Sequence, residues 1–178
     1  MAGKRSLNAR NLQTLGAAAL AKLLMEVSSG NAVIQRRLRL ALAAAESASE
    51  AAQEVRKGLT AIARSSTWMD SHKHKTLVAD LKIQHRAITG PIAEADPELA
   101  FELQVRLLGL ADGVLDRCPG ITGSVISVFR QAAANLGPIA MAAKVEPQRL
   151  AEQLADLLVS DGYGQFEALI PAMKEALG

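Results

Sequence analysis

Apolar residues along this chain recur mostly at three- and four-residue intervals, the spacing that lines up one face of a helix. Asn8 or Thr14 is placed to cap a first segment running to Ser28, with Leu12, Leu15, Leu20, Leu23, Leu24 and Val27 as its apolar stripe. Gly30 ends it, and Asn31 caps a second helix in which Ile34, Leu38, Ala41 and Ala45 share a face. Ser47 with Glu50 has the capping-box pattern and opens a third helix to about Arg64, with Val55, Leu59 and Ile62 inward. A fourth runs from Asp70 to about Ile88, where Gly90 and Pro91 weaken it.

Asp96 and Pro97 start a fifth helix that continues to Arg117 and stops at Pro119-Gly120. Thr122 starts a sixth, and Pro138 after Gly137 predicts a kink or break. Glu146 and Pro147 open a seventh that ends at Asp161-Gly162, and FEALIPAMKEAL supplies the last turns. The two acid-Pro starts lie 50 residues apart, each followed by a double leucine and Asp-Gly, a spacing that suits a repeated helix hairpin.

Composition sharpens this. Apolar residues make up 49% and aromatics 3% of 178 residues, a balance that favours helix over strand. The expected fold is all-α, a short solenoid of stacked antiparallel helix hairpins of the TPR or HEAT kind, with a closed helical bundle as the alternative. Residues 1–178 read as a single helical-repeat domain, or as the N-terminal part of a longer array. With Cys118 as the sole cysteine, no disulfide within the chain is available, and the expected setting is the cytoplasm. Lys22 interrupts the apolar run of the opening segment, which argues against a targeting peptide, and no stretch approaches the ~20 apolar residues of a membrane span.

Charge is unevenly spread. Residues 1–90 hold 14 Lys/Arg and 6 Asp/Glu, whereas residues 91–178 hold 6 and 12. Such an asymmetry can steer an acidic partner or pair the chain with another copy of itself. Arg36, Arg37 and Arg39 on the second helix and Lys75, Lys82 and Arg86 along a ridge of the fourth form the basic part of a candidate interaction surface. Trp68 is the one aromatic residue before residue 91, so base stacking is poorly supplied; binding of a nucleic-acid backbone by the basic half is the secondary reading.

Candidate chemistry is sparse. All three histidines, His72, His74 and His85, fall on the fourth helix. Two residues of separation turn His72 and His74 ~200° apart, and eleven residues put His74 and His85 roughly 16 Å apart, while zinc ligands must reach within ~2.1 Å of the metal. They do not form a joint metal site. His74 and His85 are expected at the edge of the core with partners on a neighbouring helix, His72 at the surface, and Trp68 over the preceding turn. Cys118 sits near a helix C-terminus, which disfavours its thiolate. No nucleophile elbow, phosphate loop or metal motif is present. No catalytic, cofactor or metal residues are expected, no cofactor is implied, and a small-molecule substrate is unspecified.

LNARNLQTLG, RRLRLALAA, EVRKGLTAIARSSTWMD and SDGYGQFEALI, in that order along the chain, resemble a bacterial domain-of-unknown-function family of helical, tetratricopeptide-like proteins. The resemblance implies a helical-repeat architecture and carries over no activity and no functional residues. One feature of the C-terminus points to contact with something else. Phe166, Leu169, Ile170, Met173 and Leu177 form an apolar stripe with no later helix to cover it, so either the segment folds back onto the seventh helix or the stripe is exposed; the expectation is an interface or a truncated array, with Phe166, Ile170 and Met173 completing the candidate surface. The leading expectation is a non-enzymatic scaffold for protein–protein interaction or self-association, with no membrane partner.

Overall fold

The computed structural model describes residues 6–67, 71–118 and 122–177, of Ser71 and His72 the backbone only, and every regular element among them is helical. Two compact units divide the chain at residues 38 and 39, within one helix, Ala32–Glu46 (α3).

In the first unit Asn8 caps Ala9–Gln13 (α1), its Oδ1 accepting the Asn11 N–H at 2.8 Å. Thr14 sits at the end of α1 rather than at a start, and Gly16, at a φ of +78°, turns the chain into Ala17–Ser28 (α2). The expected single first helix is therefore two. Its stripe is not a buried one: Leu15, Leu23, Leu24 and Val27 are exposed, and Leu12 and Leu20 are half-buried. Three short helical pieces hold too little chain to enclose a core of their own. Asn31 caps α3 as expected, through the Ile34 N–H at 3.1 Å.

The second unit holds the core. The last turns of α3 bury Leu40 and partly cover Ala44, so the inward face differs from the expected Ile34–Ala45 row. Ser47 caps Ala48–Arg64 (α4), whose Val55, Leu59 and Ile62 are buried as their spacing predicts. In Ser71–Ala87 (α5) the buried set among the described side chains is His74, Leu77, Leu81, Gln84, His85 and Ala87, continuing into Ile88. The helix then widens over Ile88–Ile92, where Gly90 leaves helical geometry (φ −106°, ψ −108°) and Pro91 offers no N–H. Thr89 Oγ1 donates to the His85 carbonyl at 3.0 Å, the same four-residue back-bond that Thr60 makes to Arg56 in α4.

After the single turn Ala93–Ala95 (α6), Asp96 Oδ1 accepts the Leu99 N–H at 3.0 Å and Pro97 heads Pro97–Leu108 (α7). This helix stops at Gly109 and resumes as Ala111–Leu115 (α8), in place of one run to Arg117. The Pro119-Gly120 stop and Trp68 lie outside the described residues. Gly123–Ala142 (α9) then runs 20 residues and continues past Pro138, without the break that was one of the two outcomes expected there. It forms the axis of the unit, with α5, α7, α8 and Leu169–Leu177 (α11) packed around it. Thr122 and Glu146 precede α9 and Pro147–Val159 (α10) without making a side-chain cap. Among the described residues no helix is long and apolar enough to cross a membrane.

Candidate functional site

Residues 160–168, between α10 and α11, are tied down by their own side chains. Gln165, fully buried, accepts the Tyr163 N–H on Oε1 at 2.9 Å and donates through Nε2 to the Ser160 carbonyl at 2.8 Å. Asp161 Oδ1 accepts the Phe166 N–H at 3.3 Å, and Arg130 on α9 donates to the Gly164 carbonyl at 3.0 Å while pairing with Glu167 at 3.0 Å. Tyr163 donates its hydroxyl to Asp116 at 2.8 Å, and that bond, which holds the proton on the phenol, raises its pKa. Phe166 then enters the core at 1% exposure. These ties fix where α11 begins.

Between α10 and α11 lies an apolar groove of about 220 Å³. Ala151, Leu154, Ala155 and Leu158 line it from α10 at i, i+3, i+4 and i+7 spacing, and Leu169, Ile170, Met173 and Leu177 from α11. Two alanines opposite branched side chains leave the trough. α10 spends Leu150, Leu154 and Leu157 on the core, yet the neighbouring flank is apolar too, so the helix keeps a second hydrophobic strip that the fold does not bury. Leu158, Val159, Ile170 and Leu177 remain 36%, 91%, 65% and 41% exposed.

The C-terminal stripe is thus divided. Phe166 and Met173 are core residues, 1% and 0% exposed, which corrects their assignment to an exposed interaction surface: α11 lies against α9, where Met173 comes up to Gly137, and Phe166, ahead of α11, joins the main hydrophobic cluster. Met173 contributes only to the groove floor. Ile170 stays at the surface. Among the basic candidates, Arg37 and Arg39 are exposed and Arg36 half-buried on α3, while Lys75, Lys82 and Arg86 are exposed along α5.

The histidines do not converge. His74 Nε2 and Ser124 Oγ are hydrogen-bonded at 3.1 Å, and His85 bonds the Asn135 side chain; both partners sit on α9, the neighbouring-helix placement expected of core-edge imidazoles. The side chain of His72 lies outside the described residues. Among the described residues no group of three or more His, Cys, Asp and Glu could hold a metal. Cys118 is buried, which raises its thiol pKa, with Arg117 as a smaller opposing influence.

Burial lowers the pKa of His85 below 6.5, against the raising effect of the Asn135 bond, and Arg86 adds to the lowering. The unfolded chain therefore binds this proton at a higher pH than the folded one. Stability from neutral His85 is complete above pH 6.5 and falls as pH drops through its folded pKa. Thermal melts should show a Tm that declines on acidification below pH 6.5, and His85→Gln should flatten that slope; an unchanged slope would remove His85 from the account.

Sequence reasoning missed four residues. Gln165 carries no signal for a loop-internal anchor. Ala151 and Ala155 read as ordinary helix formers. Gly58 faces α5 so closely that an added Cβ would stand 2.3 Å from Gln84 Nε2.

A family model described as a family of unknown function, DUF6880, matches residues 2–178. No curated protein and no solved structure matches the chain.

Proposed function

Starting from the chain's membership of DUF6880, which brings no activity with it, we propose that this is a non-enzymatic helical scaffold that docks a protein partner in the α10–α11 groove. The observation that carries this reading is hydrophobic surface left unspent: Ile170 and Leu177 face solvent beside Leu158 across a trough that the fold does not fill. Covering a side chain such as Ile170 completely is worth up to ~1.5–3 kcal/mol, so such a strip is costly to keep unless something binds it. Helix-in-groove recognition uses this geometry. The reading includes a bacterial cytoplasm as the setting and a tetratricopeptide-like stacking of helix hairpins, both from the sequence resemblance.

The exposed ridge of Lys75, Lys82 and Arg86 supports the alternative, a nucleic-acid-associated module held by phosphate contacts. One comparison separates the two. Wild-type chain and Leu158→Glu are used as baits in parallel with and without nuclease, and captured proteins are identified by mass spectrometry. The scaffold reading expects proteins retained by the wild type, nuclease-resistant and lost from the variant. Identical captures from both baits would overturn it, and capture abolished by nuclease alone would favour the basic ridge.

A further inference from the structure

We propose that the seam between α5 and α9 is a docking surface for an acidic, extended segment of a partner protein. This deepens the scaffold reading and rests on it, adding a second surface to the α10–α11 groove and naming the chemistry of what it holds.

Two hydrogen bonds set the seam. His74 meets Ser124 and His85 meets Asn135, each pair 50 residues apart in the chain, so α5 and α9 lie side by side and run in the same direction. At ~100° per residue, Lys75, Lys82 and Arg86 fall within ~40° of one another, and that ridge lies ~60–100° round α5 from the two histidines. On α9, Ser127 and Gln131 lie ~20–80° round from Ser124 and Asn135, in the opposite sense. For two parallel helices that face each other, opposite rotations reach the same side. The basic ridge and the Ser127–Gln131 strip are therefore the two banks of one shallow channel, and all five side chains are exposed.

The channel carries charge of one sign. α9 has no Asp or Glu, and the one acid of α5, Asp80, is half-buried ~120–160° round the helix from the ridge. Arg56, Arg130 and Arg149 each reach a glutamate, whereas none of Lys75, Lys82 and Arg86 makes an ion pair among the described residues. Lys82 and Arg86, one turn apart, repel each other instead. Cations left unneutralised beside a neutral bank attract an anionic segment that meets no like charge on the other side.

The layout favours a peptide. Lys75 to Arg86 spans roughly 16 Å, in steps of ~10 and ~6 Å, and an extended chain rising ~3.3 Å per residue can bring a carboxylate to each. Ser127 and Gln131 offer a hydroxyl and an amide to its backbone. Nucleic acid fits less well: Phe129, the one Phe, Tyr or Trp of the two helices, is fully buried, so no base can stack, and a single file of cations meets few phosphates.

Fluorescence anisotropy of the full chain with a labelled peptide of about eight residues, alternating Glu and Ser, tests this at ~0.05 and ~0.5 M salt. The comparison probes are the Gln–Ser peptide of the same length and a thymidine oligonucleotide of matched charge. The expected result is saturable binding of the Glu–Ser peptide, stronger than of either comparison probe and weakened by salt. Lys82→Glu should weaken it at least ~5-fold, Gln131→Glu, which puts an acid on the neutral bank, ~2–3-fold, and Lys22→Glu, the same change of net charge on α2, less than ~2-fold. All three positions are exposed, and circular dichroism melts check that the variants fold. No binding at low salt, equal losses in Lys82→Glu and Lys22→Glu, or an oligonucleotide bound more tightly than the peptide would each overturn the proposal, the last in favour of phosphate recognition. None of these touches docking in the α10–α11 groove, whose own failure is read from the captures by wild type and Leu158→Glu.

Discussion

Replacing Gly137 by alanine lowers stability by about 2–3 kcal/mol, even though alanine is the better helix former by ~1 kcal/mol. The cause is a contact between backbones. A Cβ added at Gly137 would stand 1.9 Å from the Ala172 carbonyl oxygen and 2.9 Å from its carbon, so the clash cannot be relieved by choosing another rotamer. Either α9 and α11 separate or both bend, and either response loosens Leu169 and Met173, which are fully buried at the same contact. At roughly 2–4 °C per kcal/mol for a chain of this size, Tm should drop by about 5–10 °C. Gly113→Ala is the matched control. It lies in α8 with nothing within 4 Å of the added carbon, so the same chemical change is expected to be neutral or stabilising by up to ~1 kcal/mol. If the two variants melt alike, close approach at Gly137 is not what holds α11.

Phe166→Ala should cost more, about 3–5 kcal/mol, and lower Tm by roughly 10–15 °C. Phe166 is 1% exposed, is part of the main hydrophobic cluster, and belongs to the segment that delivers the chain into α11. Its removal leaves a cavity where neighbours are fixed by helices that cannot collapse inward freely. The segment's polar ties, through Gln165, Asp161 and Arg130, remain but have no apolar plug to hold. Phe166→Leu, which keeps most of the volume, should recover the greater part of the loss. Tyr163→Phe in the same segment removes only a surface hydrogen bond to Asp116 and is expected to change Tm by no more than ~2 °C. Equal effects of Phe166→Ala and Tyr163→Phe would mean that this segment does not anchor the core.

Part of this organisation could be read directly. In α4 and α5 a regular apolar stripe is flanked by charged residues, and the side chains at Val55, Leu59, Ile62, Leu77 and Leu81 go where the period places them. The caps at Asn8, Asn31, Ser47 and Asp96 were equally legible, because an Asn, Asp or Ser before a helical run satisfies free N–H groups locally, whatever lies beyond. Glycine was harder, since one residue type serves opposite ends. Gly16 and Gly109 interrupt helices that their apolar spacing continues across, whereas Gly137, beside Pro138, looks like a breaker and is instead the place where another backbone comes close.

The candidate site shows the same division. From the sequence alone, the C-terminal stripe was one apolar face, and its five members were equivalent. Sequence by itself determined that the chain is helical, where most helices begin, and that residues 166–177 carry an apolar face, because these depend on propensity, capping and period, all set within a few residues. Only the tertiary structure decided that Phe166, Leu169 and Met173 go into the core while Ile170 and Leu177 are left beside α10, and that Ala151 and Ala155 are small in a place where smallness opens a trough. Which side of a helix is covered depends on what packs there, and that is fixed by contacts between residues far apart in the chain.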